Sequence, residues 1–382
     1  WEPRRLKSLH RQPLLVSPVP SQTYISWSVP AFSTGEPEIV KGSEIESVKQ
    51  SVNSSDVLLC RINPRINRVW VVEARKDTDL PMLASTEWVV FTGHNSDSYF
   101  LSALFTSSRF RNMLLSEVAG VTGSQKRFQI ASVLERQEYF PTQIEQARIG
   151  LLFAKVDNLI AAEKRKLLLL EQKREAYSQK VFSYGSHHGE DAKHWKMMRL
   201  GDIATRITRR NKGRSNLPLT ISARDGLIDQ RHFFSKQVAS KNLDNYILLQ
   251  RGEFAYNKST SSDSPWGTIK RLDRYDQGCV STLYICFSTH SVDSQFITTL
   301  FNSPIWHREI QAIATEGARN HGLLNISSKD FFDIQLQIPD SLSEQKHIGR
   351  FFAAYEQLIR QTAKRIGLLE KKKKALLQTM FI

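Results

Sequence analysis

The sequence predicts an α+β protein made of two related halves, each a globular part followed by one long helix, with the two helices paired along their apolar stripes. Three observations predict it. The stretch from Glu145 to Phe182, shifted by 199 positions, lies without a gap on Glu344 to Phe381, and 15 of the 38 aligned pairs are identical. Both copies carry an apolar heptad stripe. The two remaining stretches are of similar length and hold short β-rich runs. Fixed-period self-similarity is the strongest guide to architecture, and a period this long implies two half-molecules rather than a solenoid.

Residues 1–141 form the first globular part, with strand-like runs such as Val57-Leu-Leu-Cys and Val69-Trp-Val-Val. Residues 142–183 form the first helix. Thr142 and Glu145 give the S/T-x-x-E spacing that satisfies free backbone N–H groups at a helix start, just after Pro141. Heptad steps then fall on Phe153, Val156, Ile160, Glu163, Leu167, Leu170, Arg174, Tyr177 and Val181, apolar except at Glu163 and Arg174. At 1.5 Å per residue, the 38 duplicated residues make a rod of roughly 57 Å. Residues 184–194 read as a linker, polar and Gly- and His-rich. His187, His188, Glu190 and His194 could be drawn there as a metal site, but nothing near them fixes ligand geometry, so the linker reading stands.

Residues 195–339 form the second globular part, again with β-rich runs such as Tyr284-Ile-Cys-Phe. Faint echoes tie it to the first: Trp1 and Trp195, Asp97-Ser98 and Asp293-Ser294, Leu104-Phe105 and Leu300-Phe301. Residues 340–382 form the second helix, with Ser341 and Glu344 repeating the capping pair after Pro339. Its heptad steps are Phe352, Tyr355, Ile359, Thr362, Ile366, Leu369, Lys373, Leu376 and Met380, polar at the same two steps as the first copy. Two matched stripes, each too long to bury against a small domain, most simply bury against each other, which makes a pseudo-two-fold internal repeat.

The chain has 382 residues, a formal charge of +15 and a pI near 9.7, a balance that favours a polyanionic partner. The first helix copy holds 8 Lys/Arg against 5 Asp/Glu and the second holds 9 against 3, so much of the excess lies on the helices. Such charge serves either as a solvated face or as a basic track along a nucleic-acid backbone. Cys60, Cys279 and Cys286 are odd in number and lack a C-x-x-C, which points to a reducing, cytoplasmic setting and away from disulfides or structural zinc. The chain opens on Trp1 rather than Met, as expected if further sequence precedes it. Nothing reads as a membrane span or signal peptide.

Clusters of Arg, Lys, Asn, Gln and Ser mark candidate reading loops. In the first globular part they are Arg61, Asn63, Arg65, Asn67 and Arg68, and Ser124, Gln125, Lys126 and Arg127. In the second they are Arg206, Arg209, Arg210, Lys212 and Arg214, then Asn257, Lys258, Ser259 and Thr260, then Trp266 and Lys270, and finally Arg319, Asn320 and His321. Arg and Lys suit guanine edges and phosphates, while Asn and Gln suit adenine edges. P-loop, G-x-G-x-x-G and H-E-x-x-H motifs are missing, as is any N-P-P-Y or D-P-P-Y segment. A self-sufficient enzyme is therefore disfavoured, and a basic scaffold without sequence reading remains the rival of a DNA reader.

The helix copies carry a family resemblance. Glu145-Gln-Ala-Arg-Ile-Gly and Glu344-Gln-Lys-His-Ile-Gly, with Gln179-Lys-Val-Phe and Gln378-Thr-Met-Phe, resemble the specificity subunits of type I restriction-modification systems, over essentially the whole chain. The resemblance implies two target-recognition domains, each followed by a conserved helical region, the helices forming an antiparallel coiled coil. It implies a non-catalytic subunit that reads a bipartite, asymmetric DNA target, binds two methyltransferase (M) subunits and, through them, motor-nuclease (R) subunits. S-adenosylmethionine would sit on the methyltransferases, with no cofactor in this chain.

Overall fold

A computed structural model of the chain describes residues 1–74, 78–119, 126–184, 194–223, 225–233, 242–262, 264–314 and 322–381. The chain divides into two compact units, Trp1–Lys166 with Thr362–Ile382, and Leu167–Gln361. Each unit thus combines a globular part with half of each long helix.

In the first unit, strand Glu2–Arg5 pairs antiparallel with Gln137–Phe140, closing the globular part on itself. Its central sheet runs Val69–Val71, Val57–Cys60, Trp88–Phe91, all antiparallel. Both faces of the two longer strands are covered, which is why they read as unbroken apolar runs. Val57, Leu59, Val89 and Phe91 meet Phe100, Leu101, Leu104 and Phe105, while Leu58, Cys60, Trp88 and Val90 meet Ile25 and Trp27 from a five-stranded mixed sheet. The helix Ser98–Thr106 starts at Asp97, whose carboxylate accepts from Phe100 N at 2.8 Å.

The second unit repeats this plan. Trp195–Arg199 pairs with Gln335–Pro339, and a four-stranded antiparallel sheet runs Ala204–Ile207, Ile285–Thr289, Phe254–Asn257, Thr268–Arg271. Phe254, Tyr256, Ile285 and Phe287 face Phe296, Leu300 and Phe301, while Ala255 and Cys286 face Leu219, Leu249 and Leu272. Asp293 caps the helix Ser294–Asn302 as Asp97 does its counterpart, accepting from Phe296 N at 2.8 Å. All three cysteines are free and buried.

The long helices are Gln143–Tyr184 and Leu342–Met380. In the first unit they are tied by Asp157–Lys373 at 2.6 Å, Glu163–Arg365 at 3.1 Å and Lys164–Glu370 at 2.7 Å. In the second, Arg174 meets Glu356 at 2.9 Å, and Tyr177 lies 5.4 Å from Phe351 and 5.7 Å from Tyr355, ring to ring. From Asp157–Lys373 to Glu163–Arg365 in the first unit, and from Arg174–Glu356 to Tyr177–Phe351 in the second, the partner number falls as the other rises, so the segments run antiparallel.

Of the heptad positions, Phe153, Ile160, Phe352 and Ile366 are buried, and Val156, Leu167, Leu170, Val181, Tyr355, Ile359, Leu369, Leu376 and Met380 are half-buried. Tyr177 is 41% exposed, and Ser178 beside it is the buried residue. Likewise Leu377 and Phe381 are buried more deeply than Leu376 and Met380, and Phe182 more deeply than Val181. A straight α-helix gains about 20° per heptad on a 3.5 repeat, so the buried edge has moved by one residue towards each C-terminus.

The duplicated motif has a structural cause in the joint between helix and globular part. Gln146 is fully buried, donates to Pro141 O at 2.9 Å and accepts from Asp97 N at 3.2 Å. Gln345 donates to Pro339 O and accepts from Asp293 N, both at 2.8 Å. A Cβ on Gly150 would stand 2.1 Å from Asp97 Oδ1, and one on Gly349 would stand 2.8 Å from Phe296 N. Each glycine lets its helix lie against the start of the short one. A four-ring cluster completes each joint, Trp1, Phe100, Phe153 and Phe381 in one unit and Trp195, Phe296, Phe352 and Phe182 in the other, with neighbouring centroids 5.9–6.4 Å apart.

Candidate nucleic-acid interface

In each unit the loop leaving a central strand is stitched by backbone hydrogen bonds to the segment that precedes a short helix. In the first unit, Asn63 N donates to Lys126 O at 2.8 Å and Phe128 N to Arg61 O at 3.3 Å, around an Ile62–Arg127 bridge. In the second, Thr260 N donates to Gly322 O at 2.8 Å and Leu324 N to Lys258 O at 3.0 Å, around a Ser259–Leu323 bridge. The topology therefore brings Asn63 beside Lys126 and Thr260 beside Gly322, segments that lie roughly sixty residues apart in the chain. Ser124, Gln125, Arg319, Asn320 and His321 lie outside the described residues, as do His187, His188 and Glu190.

Several predicted contacts are committed within the fold. Arg61 Nε donates to Glu87 at 3.1 Å and Arg127 Nη2 to the same carboxylate at 2.8 Å. These bonds, Arg127's foremost, hold the Glu87 carboxyl below the usual carboxylate range despite its partial burial. Asn67 Nδ2 donates to Phe105 O at 2.7 Å, and Arg68 Nη1 reaches Ile62 O at 3.4 Å. Arg111 fixes the backbone carbonyl of Arg65 at 2.6 Å and leaves the Arg65 side chain exposed. Asn63, at φ +49°, takes the left-handed turn that Asn tolerates better than most residues. Arg65 is thus the outward cation of this loop, flanked by half-buried Asn63 and Lys126.

In the second unit, Lys258 Nζ donates to Ile326 O at 3.2 Å, and burial pulls its amine below the usual lysine value. Asn257 accepts from Ser259 N at 3.1 Å. Ser259 is exposed and Thr260 half-buried. Trp266 packs on the core, its carbonyl accepting from Tyr256 OH at 2.9 Å. Lys270 is turned onto Asn302 at 2.6 Å, and burial lowers its amine as well, so it does not join the loops.

A further loop follows strand Ala204–Ile207. This strand and Phe254–Asn257 both run antiparallel to Ile285–Thr289 and therefore parallel to each other, so their following loops leave the same sheet end about 10 Å apart. Arg209 is held by Glu253 at 2.7 Å, and Arg210 by Asn245 O at 2.5 Å. Asn211, 1% exposed, holds the loop shut by donating to Ser215 O and accepting from Ser215 N, both at 2.8 Å. The turn at Lys212 (φ +47°) and Gly213 (φ +76°) presents Lys212 and Arg214 to solvent, and Arg206 is exposed on the strand.

Composition had singled out the cations and amides; it had not singled out Glu87, which anchors two of them from 26 and 40 residues away. Among the described residues no group of His, Cys, Asp and Glu could hold a metal ion, and no helix is long and apolar enough to cross a membrane. What remains is paired loops carrying cations, hydroxyls and amides on a rigid backbone, which suits binding to an anionic, hydrogen-bonding surface.

No protein-family model matches the chain, and no curated protein matches it. Solved structures do. A crystal structure of a type I restriction-modification system S subunit from M. genitalium superposes with a TM-score of 0.64 at 14% identity, covering 100% of this chain and 96% of that one. A chain from a type I R-M system studied for its complex assembly and conformational transition gives a TM-score of 0.51 at 15% identity, covering 100% and 97%. The chain has the fold of a type I restriction-modification S subunit from end to end.

Proposed function

We propose that the chain is the DNA-specificity subunit of a type I restriction-modification complex, non-catalytic itself, reading a bipartite asymmetric target and docking two methyltransferase subunits. The observation that carries this reading is the loop pair built twice on one scaffold with different side chains: Arg65, Asn63 and Lys126 in one unit, Ser259, Thr260 and Asn257 in the other. One scaffold with two chemistries suits a target whose halves differ. Residues 1–141 and 195–339 act as the two target-recognition domains, and residues 142–183 and 340–382 as an antiparallel coiled coil that sets the unread spacer, much as dimer geometry sets half-site spacing elsewhere. Cofactor chemistry and strand movement belong on this reading to the methyltransferase and motor-nuclease partners in the cytoplasm.

Selection from a randomised duplex pool with the purified methyltransferase complex tests it. A gapped consensus with two unrelated halves is expected. No enrichment refutes the reading and favours a basic scaffold that organises partners without reading DNA.

A further inference from the structure

The second long helix carries a feature that its duplicate lacks. Lys364, Gly367, Lys371 and Lys374 follow one another at steps of three, four and three, so they share one helix face. All three lysines are exposed, and none makes an ion pair among the described residues; nothing stands within 4 Å of a Cβ built on Gly367. A glycine in the middle of a helix is less favourable than alanine, and at Gly150 and Gly349 a close neighbour within the fold requires it. At Gly367 no neighbour does. The aligned residues of the first helix are Arg165, Leu168, Gln172 and Glu175, so a long helix of this fold needs neither the glycine nor the net positive face. Bare backbone ringed by cations is therefore directed at something outside the fold.

We propose that this face seats the sugar-phosphate backbone of DNA, gripping it without reading bases. Phosphate is the ligand chemistry that three unpaired ammonium groups suit, since each one neutralised releases a condensed counterion. Gly367 lets the backbone of the nucleic acid approach the helix where a side chain would hold it off. A protein partner fits less well, because lysine is depleted at the centre of protein–protein interfaces. Lys364 to Lys374 spans ten residues, roughly 15 Å of helix, or four to five phosphates of one strand.

The proposal rests on the DNA-binding reading above, and its test separates the two. Binding of the full chain to two duplexes, one carrying the selected consensus and one unrelated, is measured as a function of salt. The triple variant Lys364→Gln, Lys371→Gln, Lys374→Gln keeps good helix formers in place. Its plot of log K against log [salt] should be shallower by about 2.7, some 0.9 per lysine, on both duplexes, with the preference between them unchanged. Gly367→Leu, which installs the residue of the first helix, should weaken binding to both duplexes by the same factor while leaving the melting temperature unlowered. An unchanged salt slope in the triple variant overturns the proposal, as does Gly367→Leu binding like wild type. Loss of methyltransferase capture with unaltered DNA binding reassigns the face to a protein. Absence of any preference between duplexes in the wild-type chain counts against the specificity reading and leaves this test intact.

Discussion

Gly150→Ala offers the sharpest test of how helix and globular part are joined. The new Cβ would sit 2.1 Å from Asp97 Oδ1 and 2.8 Å from Phe100 N. Those two atoms form the 2.8 Å bond that caps the helix Ser98–Thr106, so the methyl group must open the cap or push the long helix away. Losing an Asp cap costs about 1 kcal/mol, and forcing a methyl into a filled joint costs roughly 1–3 kcal/mol. Replacing a mid-helix glycine by alanine returns about 1 kcal/mol. The net is a destabilisation of about 1–3 kcal/mol, or roughly 2–12 °C in melting temperature for a body of this size. Gly367→Ala is the internal control, since the same exchange meets no atom within 4 Å and should stabilise by up to about 1 kcal/mol. Thermal unfolding followed by circular dichroism reads both. If Gly150→Ala proves as stabilising as Gly367→Ala, the joint is not close-packed and the account of the duplicated glycine is wrong.

Phe381→Ala removes a ring buried among Trp1, Phe100 and Phe153, so denaturant unfolding should show a loss of about 3–5 kcal/mol in the first unit; a loss below 1 kcal/mol would contradict the packing. Glu87 has a depressed folded-state pKa, so its stabilisation is complete above the unfolded value near 4.3 and disappears as pH falls through the folded one; Glu87→Gln should flatten the acid limb of the stability–pH curve, and an unaltered limb would show that the two arginines do not depend on it. Adding one heptad to both long helices lengthens a paired rod by roughly 10 Å, about three base-pair steps; the selected spacer should grow accordingly with both half-sites kept, and an unchanged spacer defeats the coiled-coil measuring role.

Much of this was legible because duplication reports on architecture regardless of local propensity. The capping pairs at Thr142 and Ser341 fall at the starts of the two long helices, and the apolar steps lie on or beside their buried edges. The one-residue drift at Tyr177, Leu376 and Met380 was hidden, since a seven-residue template cannot report a 3.6-residue helix over roughly seven turns. The unit boundary was hidden for a different reason. Phe381 and Phe182 complete cores built from residues far away in sequence, so a division at the helix starts, 141/142 and 339/340, cuts through packed clusters. Among the loop residues, identity could not separate Arg61 and Arg127, committed to Glu87, from exposed Arg65. Only the fold brings the acid to its arginines.

The contrast between what the two units share and what they do not follows from the kind of bond at each place. At the joints the contacts are made by side chains or depend on their absence: Gln146 and Gln345 bridge specified backbone groups, and Gly150 and Gly349 admit a neighbour that any Cβ would strike. Substitution there strains the joint, and the two copies agree at these positions. The paired loops are held by main-chain bonds, Asn63 N to Lys126 O and Thr260 N to Gly322 O, that any residue except proline at the donor can supply. Side chains on such a frame can be exchanged without moving it. If the two units read DNA as proposed, a chain built this way can acquire a new target in either unit at little cost in stability, whereas a residue such as Asn211, whose side chain holds its own loop closed, cannot be exchanged so freely.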